Sequence, residues 1–338
     1  MPINEQELLA ELSRPDQGVL NTLSKIKGDL LMLGAAGKIG HALTLMAKQG
    51  FETLGMKNRV IAVSRFSAAG SQKMFEDDGI TTIRCDLADI DAVQKLPDAS
   101  DVIYLVGQKF GTSDNTSMTW LLNCFVPGIV ARRWKDSRIA VYSSGNVYPF
   151  TPVNTEGPTE DVAPGPIGEY AQSVLGRERI FEYFSRANGT PVVTIRLNYA
   201  NEPRYGVIID LAKRIQAGET IDLAQGYVNI VWQGDCNRVT IKSLDIASTP
   251  PQMLNLAGPK IAVEELCRKI GKGLGITPKF SGQPAENALL SDGSFCWKTF
   301  GPQTKTIDEM VDLACQWINA GRNTWNKPTH FEARDGKF

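Results

Sequence analysis

From Asp29 onward, short apolar runs alternate with segments whose apolar residues recur every three or four positions. DLLML is followed by a glycine turn, GAAGKIG, then by HALTLMAKQG and a second apolar run, RVIAV. Apolar runs of strand length separated by helical segments imply parallel βαβ units, whose strands are buried on both faces. The alternation continues through GITTIRC, DVIYLV, SRIAVYSS and PVVTIRL, enough for a doubly wound α/β sheet over residues 28–200. Ahead of it, Leu8, Leu9 and Leu12, then Leu20, Leu23 and Ile26, predict two short amphipathic helices on either side of Pro15, a helical extension (1–27) packed on the domain surface. Beyond residue 200 the segments shorten and mix (VIIDLAKRI, YVNIVW, MLNLAG, VEELCRKIGKGLG, TIDEMVDLACQWINAG), as expected of a smaller C-terminal α/β lobe (201–338) with a return segment to the sheet near 235–258. TPVNTEGPTEDVAPGPIG reads as a loop of the kind often found at sites, and the tail after Trp325 carries no periodic signal.

Gly34, Gly37 and Gly40 stand between the first predicted strand and its helix. In such a turn the first glycine permits a tight bend, the second lets main chain approach a pyrophosphate, and the third lets helix and strand pack closely. Free N–H groups at the helix start face the phosphates. The large domain is therefore expected to be a Rossmann-type dinucleotide-binding domain with Gly34, Gly37, Lys38, Ile39 and Gly40 at the cofactor, and the second lobe to bind substrate. An acid at the end of the second strand suits the ribose hydroxyls of NAD, and a basic residue accommodates a 2′-phosphate. That strand ends Val63-Ser64-Arg65, so NADP is expected in preference to NAD; Arg65 stacking on adenine without choosing is the alternative.

The spacing GxxGxxG, the stretch RIAVYSSGNVYP and the later EYAQSVLGRE resemble, in that order, segments of the extended short-chain dehydrogenase/reductase family, which includes NAD-dependent epimerases and dehydratases. The resemblance implies that Ser144, with Ser143 before it, is the catalytic serine, and Tyr170 the catalytic tyrosine and a cofactor contact. Ser173 and Glu178 match the small residue and the later acid of the tyrosine segment. Asp86, followed by Leu87, matches an acid that contacts the adenine amino group, although an Asp capping the next helix would look the same. Val106 and Gly107 fall in the turn that lies along the cofactor. Asn198 matches a position touching substrate and cofactor, and Arg204 is a candidate for an anionic group on the substrate. Asn146 and Asn229 complete the expected substrate contacts; Trp232 lines the cleft or simply packs, and Asp235 reads as a helix N-cap.

The lysine of the family's YxxxK segment is replaced by Val174. In the family pattern the tyrosine exchanges a proton with a substrate alcohol or carbonyl, while the lysine lowers the tyrosine pKa and holds the nicotinamide ribose. A tyrosine of pKa about 10 is scarcely ionised at neutral pH without a nearby cation, and valine offers neither charge nor hydrogen bond. Lys109, just after the fourth predicted strand in LVGQKFG, is the expected substitute, since the carboxyl ends of such strands face the ligand crevice. Arg177 reaches the vacated space only if its side chain turns inward, and a surface arginine is the commoner case. A neutral Tyr170 acting as donor is a third possibility. Asn123 supports either the site or its own core environment.

Composition narrows the function classes. Among 338 residues, 36 Lys and Arg balance 37 Asp and Glu, so no global field favours nucleic acid or anionic lipid. Six scattered Cys without a CxxC pair and only two His suggest neither a disulfide framework nor a metal site. With no long apolar run, a cytoplasmic protein without a membrane partner is expected. The resemblance implies a homodimer through helices at 115–134 and 168–187, where Trp120, Leu121, Phe125, Phe181 and Phe184 supply apolar surface. The expected function is hydride exchange between bound NAD(P) and a sugar, sugar acid or nucleotide sugar, with an epimerase, dehydratase or dehydrogenase outcome. The alternative is an inactive NADP(H)-binding sensor or regulatory protein.

Overall fold

The computed structural model describes residues 4–109 and 115–337. The first three residues of the predicted N-terminal extension, Phe110 and Gly111 of LVGQKFG, and Phe338 lie outside that description. Seven strands, β1 (Leu30–Leu33), β2 (Val60–Ser64), β3 (Thr81–Arg84), β4 (Asp101–Tyr104), β5 (Arg138–Ser144), β6 (Val192–Leu197) and β7 (Gln252–Leu256), form one sheet. Its order is β7-β6-β5-β4-β1-β2-β3, with every neighbouring pair parallel. This is the Rossmann-like α/β architecture expected from the alternating pattern.

Side-chain alternation along the strands builds two cores. Leu30 and Met32 pack with Ala62, Ile103 and the helix Gly40–Thr53 on one face, while Leu31 and Leu33 pack with Val63, Val102, Tyr104, Val130 and Phe181 on the other. All four β1 residues are buried, which explains the uninterrupted apolar run. The order reverses between β1 and β4, so the loops after these two strands border one crevice at their carboxyl ends.

The N-terminal helices Glu5–Leu12 and Gln17–Leu23 are capped by Asn4, in a reciprocal box with Glu7, and by Asp16. They are more than the surface layer expected from sequence. Leu8 and Leu12 are fully buried in the core of the second lobe, and Asn237 Nδ2 donates to Leu12 O at 2.9 Å. That lobe is built on the helices Val207–Gln216, Val263–Leu274 and Ile307–Asn319. YVNIVW is not one strand: Tyr227–Asn229 pairs with Lys260–Ala262, and Val231–Trp232 pairs with Ala200–Asn201. The chain then returns through the helix Gln233–Ser243 to β7. Among the described residues no helix is long and apolar enough to cross a membrane.

Candidate active site

The glycine turn divides the crevice into two hollows. Gly34 adopts φ +85°, and a Cβ there would lie 2.8 Å from Val106 Cγ2 and 2.9 Å from Val106 N, so only glycine lets β1 turn against the chain leaving β4. A Cβ on Gly40 would lie 1.9 Å from Ala35 O, which enforces close helix packing. Gly37 is different: the nearest atom to its Cβ position is Gly34 O at 3.5 Å, so its free side faces open space.

The first hollow is lined by Gly34, Gly37, Ser64, Arg65, Ser67, Ser71, Asp86, Leu87, Val106 and Gly107, among others. This set fits a dinucleotide: glycine main chain for the pyrophosphate, and hydroxyls with a guanidinium at the end of β2. Asp86 is not the cap of the following helix. Asp89 caps Ile90–Gln94, and the exposed Asp86 carboxylate accepts from Ala88 N at 3.0 Å at the hollow's edge.

The second hollow contains Lys38, Ile39, Lys109, Ser143, Ser144, Asn146, Tyr170 and Asn198, together with Tyr199, Tyr205, Gln233, Leu289 and Thr329. Ser144 Oγ donates to Asn146 Oδ1 at 2.9 Å and accepts from Asn146 N at 3.2 Å, and the Tyr170 phenol lines the same hollow. Burial raises the Tyr170 pKa above the ordinary phenol value, against the opposing Ser144 hydrogen bond and Arg177 charge. The phenol is therefore protonated at neutral pH. Lys109 Nζ lies 6.0 Å from the Tyr170 ring centre and 5.6 Å from that of Tyr199, and donates to Thr329 O at 3.2 Å. Burial depresses its pKa to about 8.

Val174 is buried with Val147 and Tyr148, packed by Tyr170 and Leu175, so the usual lysine position is an apolar contact. Arg177 does turn inward, unlike the commoner surface case. Its Nη1 donates to Tyr142 O at 2.7 Å and its Nη2 to Asn123 Oδ1 at 2.6 Å. Asn123 lies in a π-helical turn, Leu121–Phe125, and also holds Gln108 N (3.0 Å) and Gln108 O (3.1 Å), pinning the main chain beside Lys109.

Other sequence candidates are taken up by partners within the protein. Asn229 does not line the second hollow: its amide is spent on Gly258 O and Ser291 N, each at 2.9 Å. Arg204 is held by Glu202 at 3.0 Å, stacks over Trp325, and borders a separate hollow. Asp235 is not an N-cap but lies in the first turn of Gln233–Ser243, binding Arg238 at 2.6 Å and Thr304 N at 2.9 Å. Trp232 is buried in the second-lobe core. Ser143 donates to Glu178 at 2.5 Å. Asn198 is buried, accepting from Ser291 Oγ at 3.0 Å. Conversely, the tail without sequence signal walls the hollow: Thr329 N and Oγ1 both donate to Asp210 Oδ2 at 2.6 Å.

A parallel sheet with a glycine-turn phosphate cradle, opening onto a tyrosine and serine across the crevice, defines a dinucleotide-binding protein of the Rossmann class. The model of the NAD dependent epimerase/dehydratase family matches residues 30–249, and the chain belongs to that family. Similar solved structures include MoeE5 in complex with UDP-glucuronic acid and NAD, 19% identical, covering 87% of this chain and all of that one at TM-score 0.69. UDP-glucuronic acid 4-epimerase from Bacillus cereus, in complex with UDP-glucuronic acid and NAD, is 16% identical, with coverage of 86% and 99% and TM-score 0.70. Pal from Bacillus thuringiensis is 15% identical, with coverage of 87% and 100% and TM-score 0.72. No curated protein matches the chain by sequence.

The open space at Gly37 generates a test. Gly37→Val should abolish NAD(P) binding in calorimetry while leaving the melting temperature close to that of the unmodified protein, whereas Gly40→Ala should disrupt folding itself. Unchanged cofactor affinity in Gly37→Val would remove the dinucleotide from this turn.

Proposed function

We propose that this protein is an NAD(P)-dependent enzyme that acts on a nucleotide sugar through hydride exchange at a sugar hydroxyl or carbonyl. The observation that carries this reading is the placement of Ser144 and Tyr170 together in a hollow adjoining the dinucleotide pocket. A bound nicotinamide would supply the hydride acceptor or donor. Tyr170 exchanges the proton with the substrate oxygen, and Ser144, oriented by Asn146, fixes that oxygen. Two cations take the place of the missing ammonium: Lys109 from the cavity and Arg177 from the buried side. Similar folds in complex with UDP-glucuronic acid, UDP-glucose and NAD favour a nucleotide sugar over a free one.

The catalytic assignment is tested by substitution. With UDP-sugars as first candidate substrates, Tyr170→Phe and Lys109→Ala should each lower kcat by about 10²–10⁴-fold, and the double variant little further, because the residues act as a unit. Full activity in Lys109→Ala would leave Arg177 as the operative cation. Tight cofactor binding without turnover on any sugar substrate would favour a sensor.

For the cofactor, Ser64, Arg65, Ser67 and Ser71 form a polar corner without a carboxylate at the end of β2, which supports NADP over NAD. Arg65→Ala should weaken NADP by about 10–100-fold and spare NAD. Equal losses for both would make Arg65 an adenine-stacking residue.

The assembly proposed is a homodimer through the helices Thr116–Trp120, Val126–Arg133 and Gly168–Asn188 and the turn between the first two. Phe181 faces the core, while Trp120, Phe125 and Tyr183 are exposed by 39%, 50% and 65%. Such aromatics on adjacent elements suit a shared apolar face. Light scattering should give a dimer mass, and Phe125→Asp with Tyr183→Asp a monomer; a monomeric parent protein would overturn the proposal.

A further inference from the structure

Lys38 was expected at the cofactor because it lies in the glycine turn. Yet it is not among the residues lining the dinucleotide hollow. It enters the catalytic hollow instead, with Nζ 3.4 Å from the Tyr205 ring centre. We propose that Lys38 is a substrate-specificity residue, whose ammonium, together with Lys109 in the same cavity, binds a carboxylate carried by the sugar and selects an acidic sugar over a neutral one. The inference rests on the nucleotide-sugar reading and deepens it.

The cavity's chemistry supports the assignment. Ser143, Ser144, Asn146 and Asn198 are neutral polar groups suited to sugar hydroxyls, whereas Lys38 and Lys109 add two positive charges to the same space. Charges from other elements bear on it as well: Lys327 and Glu332 from the tail, and Asp210 from the helix Val207–Gln216, whose Oδ2 already accepts twice from Thr329. Burial, then the charges of Lys109 and Lys327, bring Lys38 down to about 7, against the attraction of Asp210. A carboxylate between the two ammonium groups favours the charged form of both. The cation–π contact with Tyr205 meanwhile holds the Lys38 stem in the cavity.

A protonic signature follows. At pH 8 much of the Lys38 population is neutral, and an arriving carboxylate raises its pKa, so binding takes up protons from solution. Raising the pH further deprotonates Lys38 and Lys109 and weakens the acid-specific part of binding.

The test is calorimetry on cofactor-loaded protein at pH 8 in buffers of different ionisation enthalpy. It compares UDP-glucuronate with UDP-glucose, and free glucuronate with free glucose, for the parent protein, Lys38→Gln and Lys38→Arg. The parent should favour the acid of each pair by about 10–100-fold and take up protons with the acid alone. Lys38→Gln should lose the preference and most of the uptake. Lys38→Arg should keep the preference with less uptake, since arginine is already charged. Equal affinity for acid and neutral partners in the parent would overturn the carboxylate site while leaving the nucleotide-sugar reading intact. A preference for free glucuronate without binding of either UDP-sugar would uphold the carboxylate site and overturn that reading. If none of the four binds, both fail. A fall in cofactor affinity in Lys38→Gln larger than the loss of acid preference would place Lys38 on the cofactor and overturn the proposal.

Discussion

The geometry of the site depends on a buried ion pair beneath it. Glu178 and Arg196 are each 3% exposed and meet through two hydrogen bonds, at 3.0 and 2.8 Å. Removing two such charges from water costs several kcal/mol each, and the loss is offset only if the remaining hydrogen-bonding capacity is used. Here Glu178 also accepts from Ser143, and Arg196 Nη1 donates to the Tyr148 hydroxyl at 2.6 Å. That hydroxyl lies 2.9 Å from Asn255 on β7 and 3.0 Å from Thr159 O. Glu178 is on the helix that carries Tyr170, Ser143 precedes Ser144, and Arg196 is on β6. The distance between serine and tyrosine is thus fixed by a network that touches neither hydroxyl, and loss of either ion would leave the other buried and unpaired.

A second constraint is the glycine turn, whose approach to Val106 leaves no room for a Cβ at Gly34 and beside which two hollows hold separate charges. Arg65 lines the first hollow, while Lys38 and Lys109 stand in the second. The near-zero net charge of the chain conceals this separation. Local potential is set by which side of a turn a side chain takes: Gly37 lines the first hollow, while its neighbour Lys38 places its ammonium in the second.

That distinction explains which parts were legible in the sequence. Six of the seven strands and the glycine turn follow from the alternation of short apolar runs with helical segments, since central parallel strands such as β1 are buried on both faces and the turn cannot tolerate a Cβ at Gly34 or Gly40. Ser144, Tyr170 and Lys109 lie at the crevice because their positions along strands and helix place them there. Side-chain partners are a different matter. Arg204 and Asn229 lie close in sequence to site residues, yet Glu202 holds one and the Gly258 and Ser291 main chain holds the other. Tyr205, Gln233, Leu289 and Thr329 come from distant segments with no shared pattern, so only the folded chain brings them together. The tail had no periodicity to read because it is an irregular strap, held by side chains such as Asp210.

The replacement of lysine by Val174 changes more than one residue. An ammonium among Val147, Val174 and Leu175 would lack partners, so positive charge is instead supplied from two other places. Arg177 is permanently charged and locked onto Tyr142 O and Asn123; Lys109 is titratable and sits in the cavity. A single amide, Asn123, positions both, one through its Oδ1 and the other through the Gln108 main chain. Burial nevertheless outweighs the Ser144 and Arg177 influences on Tyr170 and keeps its hydroxyl protonated. The protonated phenol is a hydrogen-bond donor facing the hollow. In the proposed reading, a carboxylate drawn to Lys38 and Lys109 favours the ammonium form of both. Substrate charge and the protonation state of the catalytic cavity are thereby coupled, a coupling that the fixed, paired Arg177 could not provide on its own.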